Sequence, residues 1–224
     1  MYKFSNVILV GVVVSFINFW IWRIINANLV FGLTLILLSI TFIYLILIKL
    51  DKKFFIIFLF LIVLISYQLL ISGFDRNLTI LTPDQKKQLN ERHGYFAINL
   101  GEFFQNRLVL RFYKDVYPYL NVYGNNLFNS LSPNLYFFTN HPREREKVEE
   151  FSMYPSALII PFLIGFIYFL KSSHPLMFGY LIFAVLITGF IKQTYIFGPV
   201  MFFPLINLLI SVGILKIYNF VLKK

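Results

Sequence analysis

Six apolar runs divide the chain, and each is long enough to be considered as a transmembrane helix. A hydrocarbon core about 30 Å thick requires about 20 helical residues to cross it. The fourth and fifth runs are shorter in their strictly apolar parts, so a re-entrant pair is the alternative to two crossings. The pattern predicts an all-α integral membrane protein with about six transmembrane helices. The runs are Phe4–Trp22, Leu29–Ile48, Phe54–Ile71, Tyr154–Leu170, Pro175–Ile191 and Ile196–Ile217.

A long polar insert, Asp75–Pro155, separates the third run from the fourth. It contains nine of the ten acidic residues and ten of the twenty lysines and arginines. Any chemistry in water must therefore use this insert. We divide the chain into a three-helix transmembrane block (1–74), an extracytoplasmic amphipathic helical cap (75–155) and a second three-helix transmembrane block (156–224).

Composition strengthens the membrane prediction. Hydrophobic residues make up 58% of the chain and charged residues 13%, and the mean hydropathy is +0.74, so lipid must cover much of the surface. The net charge of +10 lies mostly beside the apolar runs, where it sets membrane orientation. It therefore does not predict a nucleic-acid partner. The chain has no cysteine, which excludes disulfides and thiolate metal sites.

The charges of the short loops predict the orientation. If the N-terminus is cytoplasmic, the cytoplasmic segments hold eight lysines, while the short outer loops hold only Arg23 and Lys192. The opposite orientation would invert this bias, which follows the positive-inside rule. We therefore expect a multi-pass protein of the cell membrane with both termini cytoplasmic and the insert extracytoplasmic.

The first helix of the insert has a clear start signal. Thr82 can cap the helix, Pro83 suits its first position, and Gln85 can complete a capping box. Gly94 is expected to end it.

Two further helical regions follow in the insert, over Asn99–Tyr117 and Leu120–Leu131, and Leu135–Thr139 reads as a short extended piece. The spacing of their apolar and basic residues is roughly helical. Such amphipathic segments could lie on the outer leaflet, or pack against each other as a small cap.

Polar residues are rare inside the apolar runs. No ionisable residue lies in the middle of a run, which argues against an ion-coupled transporter. For Asn18, Gln68 and Asn207, hydrogen bonding between helices is favoured over contact with a substrate. Pro199 and Pro204 predict a kink in the last span.

Aromatic residues allow two interpretations. Trp20 and Trp22 suit the interfacial end of the first span. Rings in the insert, such as Tyr123, Tyr136 and Phe137, could stack on sugar faces, but anchoring at the membrane interface is the commoner role.

The densest charged cluster is His141–Glu150. Guanidinium groups match phosphate oxygens, so His141, Arg143 and Arg145 are the candidate ligand-binding residues for a phosphate or a saccharide. The alternative is a solvated run in which the arginines pair with the glutamates that follow them.

Metal binding and acid–base catalysis have weaker signals. Glu91 with His93, and His141 with Glu144, each supply two possible ligands, fewer than a metal site needs, so no metal and no cofactor is predicted. General acid or base work by a carboxylate such as Asp84 requires a pocket that shifts its pKa, and no catalytic residue is assigned.

Three short motifs form a familiar layout: Leu131–Phe138, then His141-Pro142-Arg143, then Pro161–Gly165. This layout resembles the region after the large extracytoplasmic loop of bacterial protein-mannosyltransferase-like (GT-C type) glycosyltransferases. Those enzymes carry catalytic acidic residues in the first outer loop, whereas Arg23–Asn28 has no carboxylate here. The chain therefore resembles their C-terminal half without the catalytic N-terminal part.

These observations favour a non-catalytic or accessory component of cell-envelope glycan or lipid-linked saccharide handling. Its expected partners are the lipid bilayer and either a polyprenyl-phosphate-linked saccharide or a partner membrane enzyme. The alternatives are a membrane glycosyltransferase that uses insert carboxylates such as Glu91 and Glu102, and a structural or sensory membrane protein.

Overall fold

All regular elements in the residues that the structure describes are helices, which confirms the predicted all-α class. The structure is a computed structural model, and it describes residues 4–47, 63, 78, 80–101, 106–138, 152–172, 175–191 and 197–222. The helices are α1 (Phe4–Ile17), α2 (Phe19–Ala27), α3 (Leu29–Leu47), α4 (Pro83–Leu100), α5 (Arg107–Asp115), α6 (Tyr117–Leu131), α7 (Pro133–Phe137), α8 (Ile159–Ser172), α9 (Pro175–Thr188) and α10 (Phe203–Leu222).

The first predicted span is broken at Asn18 into α1 and α2, which are bent by 70°. The Asn18 carboxamide oxygen accepts a hydrogen bond from Ile21 N at 2.7 Å, and its amide donates to Ser15 O at 2.7 Å. One side chain thus satisfies backbone groups at the end of one helix and the start of the next. The prediction that Asn18 forms hydrogen bonds between packed helices is therefore wrong, because its hydrogen bonds are to residues three or four positions away.

Helix α10 is the centre of the bundle. Residues 200–213 are all buried, and α10 contacts α1, α3 and α8. The predicted proline kink is wrong. Pro199 precedes a 3-10 turn at Val200–Phe202, and Pro204 lies in the first turn of α10, where a missing backbone N–H breaks no helical bond.

Helices α8 and α10 pack in direct backbone contact through two glycines. A Cβ at Gly165 would overlap the carbonyl oxygen of Leu209, and a Cβ at Gly213 would overlap that of Pro161. Small residues allow this close approach, which is typical of helix pairs in membranes.

Fewer helices are long enough to cross a membrane than the six predicted. Within the described residues, two qualify by length and apolarity, Leu29–Leu47 and Val200–Val221, and a third is counted if α1 and α2 form one span. Helices α8 and α9 match the fourth and fifth predicted spans, but each has only 14 residues. At 1.5 Å per residue, such a helix is about 21 Å long, less than a typical hydrocarbon core. The third predicted span, Phe54–Ile71, lies outside the described residues apart from Val63.

The predicted start of the insert helix α4 is confirmed. The Thr82 side chain accepts from Gln85 N, the Gln85 side chain accepts from Thr82 N, and Pro83 is the first helical residue. The predicted end is wrong, because the helix continues through Gly94 to Leu100. A glycine in a helix interior costs about 1 kcal/mol relative to alanine, which a helix tolerates. Gly101, with φ +51°, follows as the C-cap.

The rest of the insert is more helical than predicted. Helices α5 and α6 are separated only by Val116, and Leu135–Phe137 belongs to α7 and not to an extended piece. Ser132 followed by Pro133 is an N-cap and first-position pair, which explains why a helix starts there. Thr139 lies outside the described residues.

Candidate functional site

The predicted ligand residues His141, Arg143 and Arg145 lie outside the described residues. The chain on either side of them is described, up to Phe138 and again from Ser152. These two flanks lie together, because Tyr154 N donates a hydrogen bond to Tyr136 O at 2.7 Å. The described residues on either side of the charged segment therefore lie next to each other.

That place is a buried group of rings, which we call the aromatic clasp: Trp20, Tyr136, Phe137, Tyr154 and Phe203. The Trp20 ring lies 5.5 Å from Phe203, 6.1 Å from Tyr136 and 6.4 Å from Tyr154, measured between centroids. Phe137 lies 5.8 Å from Tyr154. Tilted and edge-on contacts of this kind add about 0.5–1.5 kcal/mol per pair beyond the burial of area.

Backbone bonds fasten the same segments together. Trp20 N donates to Met153 O at 3.1 Å, and the Trp20 indole Nε1 donates to Phe197 O at 2.9 Å. Gly198 has φ +55°, and a Cβ there would lie 2.7 Å from Met153 Cε. The clasp thus joins the α1–α2 break, α7, the chain before α8 and the chain before α10.

A second cluster shares Tyr154 with the clasp. We call it the polar node, and it consists of Ser15, Ser39, Tyr154 and Asn207, all fully buried. The Tyr154 hydroxyl donates to Asn207 Oδ1 at 2.9 Å, and Asn207 Nδ2 contacts Ser39 Oγ at 3.0 Å and Ser15 Oγ at 3.3 Å. These bonds link α1, α3, α10 and the chain before α8. The predicted interhelical role of Asn207 is confirmed, while Gln68 lies outside the described residues.

The buried groups of the described part are neutral. Its buried polar side chains are serines, threonine and asparagines, apart from the tyrosines of the core. Such side chains hold helices in register and donate or accept hydrogen bonds, but they have no formal charge. Ser211, one turn after Asn207, keeps a buried Oγ without a hydrogen-bond partner.

The insert is attached to the bundle at the end of α9. The Tyr123 hydroxyl donates to Leu186 O at 3.0 Å, and Asn126 Nδ2 donates to Gly189 O at 3.3 Å. A Cβ at Gly189 would overlap the Tyr123 ring, so this glycine permits the contact. Burial raises the pKa of the Tyr123 hydroxyl.

The other residues considered for chemistry do not converge in the described part. Asp84 and Glu91 are exposed on α4, and His93 lies on the same helix with its ring 6.2 Å from that of Tyr113. The described residues contain no group of three potential metal ligands. Glu102 and Glu144 lie outside them.

A cleft between α4 and α6 is lined by Gln85, Arg92, Tyr117 and Asn121, among others, and has a volume of about 60 Å³. It is too small for a saccharide, since ligand pockets usually exceed about 300 Å³.

The aromatic clasp was not predicted from the sequence. Trp20, assigned to a membrane interface, is fully buried, and only Trp22 is exposed. Tyr136 and Phe137, treated as anchors or sugar contacts, are also core residues. The available signal was Asn18 in the middle of an apolar run, since an amide there predicts a helix break that can turn the next residues inward.

Comparisons with models of protein families, with curated proteins and with solved structures find no match to this chain.

Proposed function

We propose that this chain is a multi-pass membrane protein that acts as a non-catalytic or accessory component of lipid-linked saccharide handling. In this proposal the segment 139–151 binds the phosphate of a polyprenyl-linked saccharide through His141, Arg143 and Arg145. One observation carries the proposal: both flanks of that segment are fastened at the aromatic clasp by Tyr154 N and Tyr136 O. A segment whose two flanks are fixed loses less conformational entropy when it binds a ligand.

The arrangement of helix ends supports a membrane-edge position for this segment. The C-terminal end of α1 and the chain entering α8 and α10 meet at the clasp. We propose about six spans with cytoplasmic termini, the topology that the loop charges favour. In that topology these helix ends share the extracytoplasmic side. A lipid-linked phosphate lies at that same depth, at the edge of the hydrocarbon core.

The chemistry of the segment suits a diphosphate or monophosphate ester. Arginine presents donors in a planar fork that matches phosphate oxygens, and His141 adds a third donor when protonated. The neighbouring glutamates compete for the same arginines, so affinity depends on the phosphate being the better partner. The resemblance to the C-terminal half of GT-C type glycosyltransferases fits a role in which the transfer chemistry belongs to a partner enzyme.

The test is native mass spectrometry of the detergent-purified full chain incubated with undecaprenyl phosphate. We expect a one-to-one adduct that is lost in the double variant Arg143→Gln/Arg145→Gln. The matched control is Lys86→Gln/Lys87→Gln, which removes two exposed charges from α4 and should keep the adduct. Equal loss in both variants, or full competition by phosphatidylglycerol, would show general attraction to anionic lipid and contradict the proposal.

Catalysis by the insert can be tested in the same preparation. Sugar transfer from a polyprenyl-linked donor is measured for Glu91→Gln and Glu144→Gln. An accessory protein should show no sugar-transfer activity of its own. When membranes that supply a transferase are added, each substitution should leave the rate of transfer unchanged. Abolition of transfer by one conservative change would favour the enzyme alternative.

A further inference from the structure

Helix α5 carries an exposed apolar row that continues into α6. Leu108, Phe112, Val116 and Leu120 follow one another at intervals of four residues, and they are 75%, 50%, 42% and 51% exposed. Val116 is the one residue between the two helices, and its N–H bonds to Phe112 O. We call these four residues the apolar stripe, since residues four apart share one helix face.

Basic residues lie beside the stripe. Arg107 and Arg111 each precede a stripe residue, Lys114 lies one turn further on, and all three are exposed. Asp115 is the one acidic residue of α5. A neighbouring face is turned inward, where Tyr113 is buried and its ring stacks 5.2 Å from that of Tyr117. The helix thus has an inward face, an exposed apolar face and a basic flank.

The stripe belongs to a cap that is fixed at the end of an apolar helix. Tyr123 and Asn126 of α6 bond to Leu186 and Gly189 at the C-terminal end of α9. α9 is apolar over its whole length. In the topology proposed above, the C-terminal end of α9 lies at the extracytoplasmic surface of the bilayer, so α6 holds α5 near that surface.

We propose that α5 is an interfacial helix that rests on the phospholipid bilayer in which the protein is embedded. Leu108 and Phe112 enter the boundary between headgroups and acyl chains, and Arg107 and Arg111 pair with lipid phosphates. An apolar face with a basic flank is the pattern of helices that lie in the membrane plane. The arginine stems can extend along the apolar surface while their guanidinium groups reach the phosphates.

A protein partner fits the stripe less well. Lysine and aspartate are depleted at protein interfaces, whereas exposed Lys114 and Asp115 lie within one helical turn of Phe112. The proposal does not depend on the ligand of segment 139–151, so either can fail without the other.

The absence of cysteine from the chain allows a direct test. Single cysteines are introduced as Leu108→Cys, Phe112→Cys and Lys114→Cys in the full chain, labelled with an environment-sensitive fluorophore, and the protein is placed in lipid nanodiscs. A lipid with a nitroxide near its headgroup serves as the quencher. We expect blue-shifted emission and roughly several-fold stronger quenching at 108 and 112 than at 114, because only the stripe enters the lipid.

A label at Leu9→Cys, an exposed residue of α1, reports on correct insertion and should be quenched by a nitroxide deeper in the acyl chains. The variant Arg107→Gln/Arg111→Gln should reduce quenching at 112 in nanodiscs that contain phosphatidylglycerol. Unshifted emission at 108 and 112 would show that the stripe faces water. A blue shift without lipid quenching would show that protein covers it. Either result overturns the proposal.

Discussion

The bundle around α10 and helix α4 of the insert are stabilised by different forces. Every residue from 200 to 213 is buried, whereas no side chain described for α4 is. The bundle is held by apolar packing, glycine contacts and the polar node. Helix α4 begins with a capping box, and its His93 ring contacts the Tyr113 ring of α5.

This difference explains where sequence patterns are informative. Local signals such as a cap or a proline at the first helical position act within one helical turn, so they can be recognised in the insert. The bundle depends on which distant segments meet, and Trp20 is an example because its indole bonds to Phe197. Substitutions in the two regions should therefore differ sharply in effect.

The largest effect is expected from Trp20→Ala. Removing a fully buried tryptophan deletes the centre of the aromatic clasp and the indole hydrogen bond to Phe197 O, and such changes cost about 3–5 kcal/mol. The matched control is Trp22→Ala, because Trp22 is 48% exposed and should cost about 1–2 kcal/mol. Apparent melting temperature in detergent is the measurement. Similar losses for the two variants would contradict a central role for the clasp.

A smaller but still marked loss is expected from Gly165→Ala. The added methyl overlaps the Leu209 carbonyl oxygen, so α8 and α10 must separate, at a cost of about 1–3 kcal/mol.

Two other glycines provide controls for this change. Gly179 of α9 and Gly94 of α4 have open space where a Cβ would lie. Alanine should be neutral or stabilising there by up to about 1 kcal/mol, since it favours the helix. If Gly165→Ala proved as harmless as these, the backbone contact between α8 and α10 would be wrong.

The sequence alone predicted the helical class, the second span and the start of α4. The second span begins at Leu29, as predicted, because an unbroken apolar run has one helical interpretation. The break at Asn18 was not predicted, because one amide side chain there replaces the backbone bonds that a continuous helix would make.

The candidate site was predicted less well. The charged segment His141–Glu150 was identified by composition, but the tie between Tyr136 and Tyr154 joins residues 18 apart in sequence and leaves no local pattern. The partners of Asn207, Ser15 and Ser39, are small residues in apolar runs, where serine more often bonds to its own helix. Only the packing of three helices brings them together.

Asn207→Ala should destabilise the bundle by about 1–2 kcal/mol, because it leaves the Tyr154 hydroxyl and two serines without their partner. A double-mutant cycle with Tyr154→Phe isolates the bond between the two residues. We expect the double variant to lose less than the sum of the single variants. Strictly additive losses would show that the polar node is not coupled. Asn219→Ala, near the end of the same helix, is the control substitution.

The smallest effect concerns the pH dependence of the clasp. Burial raises the pKa of Tyr136 well above its usual value of 10, and its hydroxyl donates to Ser130 O. The contribution of this raised pKa to the free energy of unfolding is fully present below pH 10. Above pH 10 it falls by up to about 1.4 kcal/mol per pH unit, because the tyrosine of the unfolded chain ionises first. Tyr136→Phe should be less stable than wild type at pH 8 by about 0.5–1.5 kcal/mol, and this deficit should shrink between pH 10 and 11. Ser130→Ala, which keeps the tyrosine, should show a constant deficit across the same range. A Tyr136→Phe deficit that does not change with pH would show that the hydroxyl is exposed to water in the folded protein.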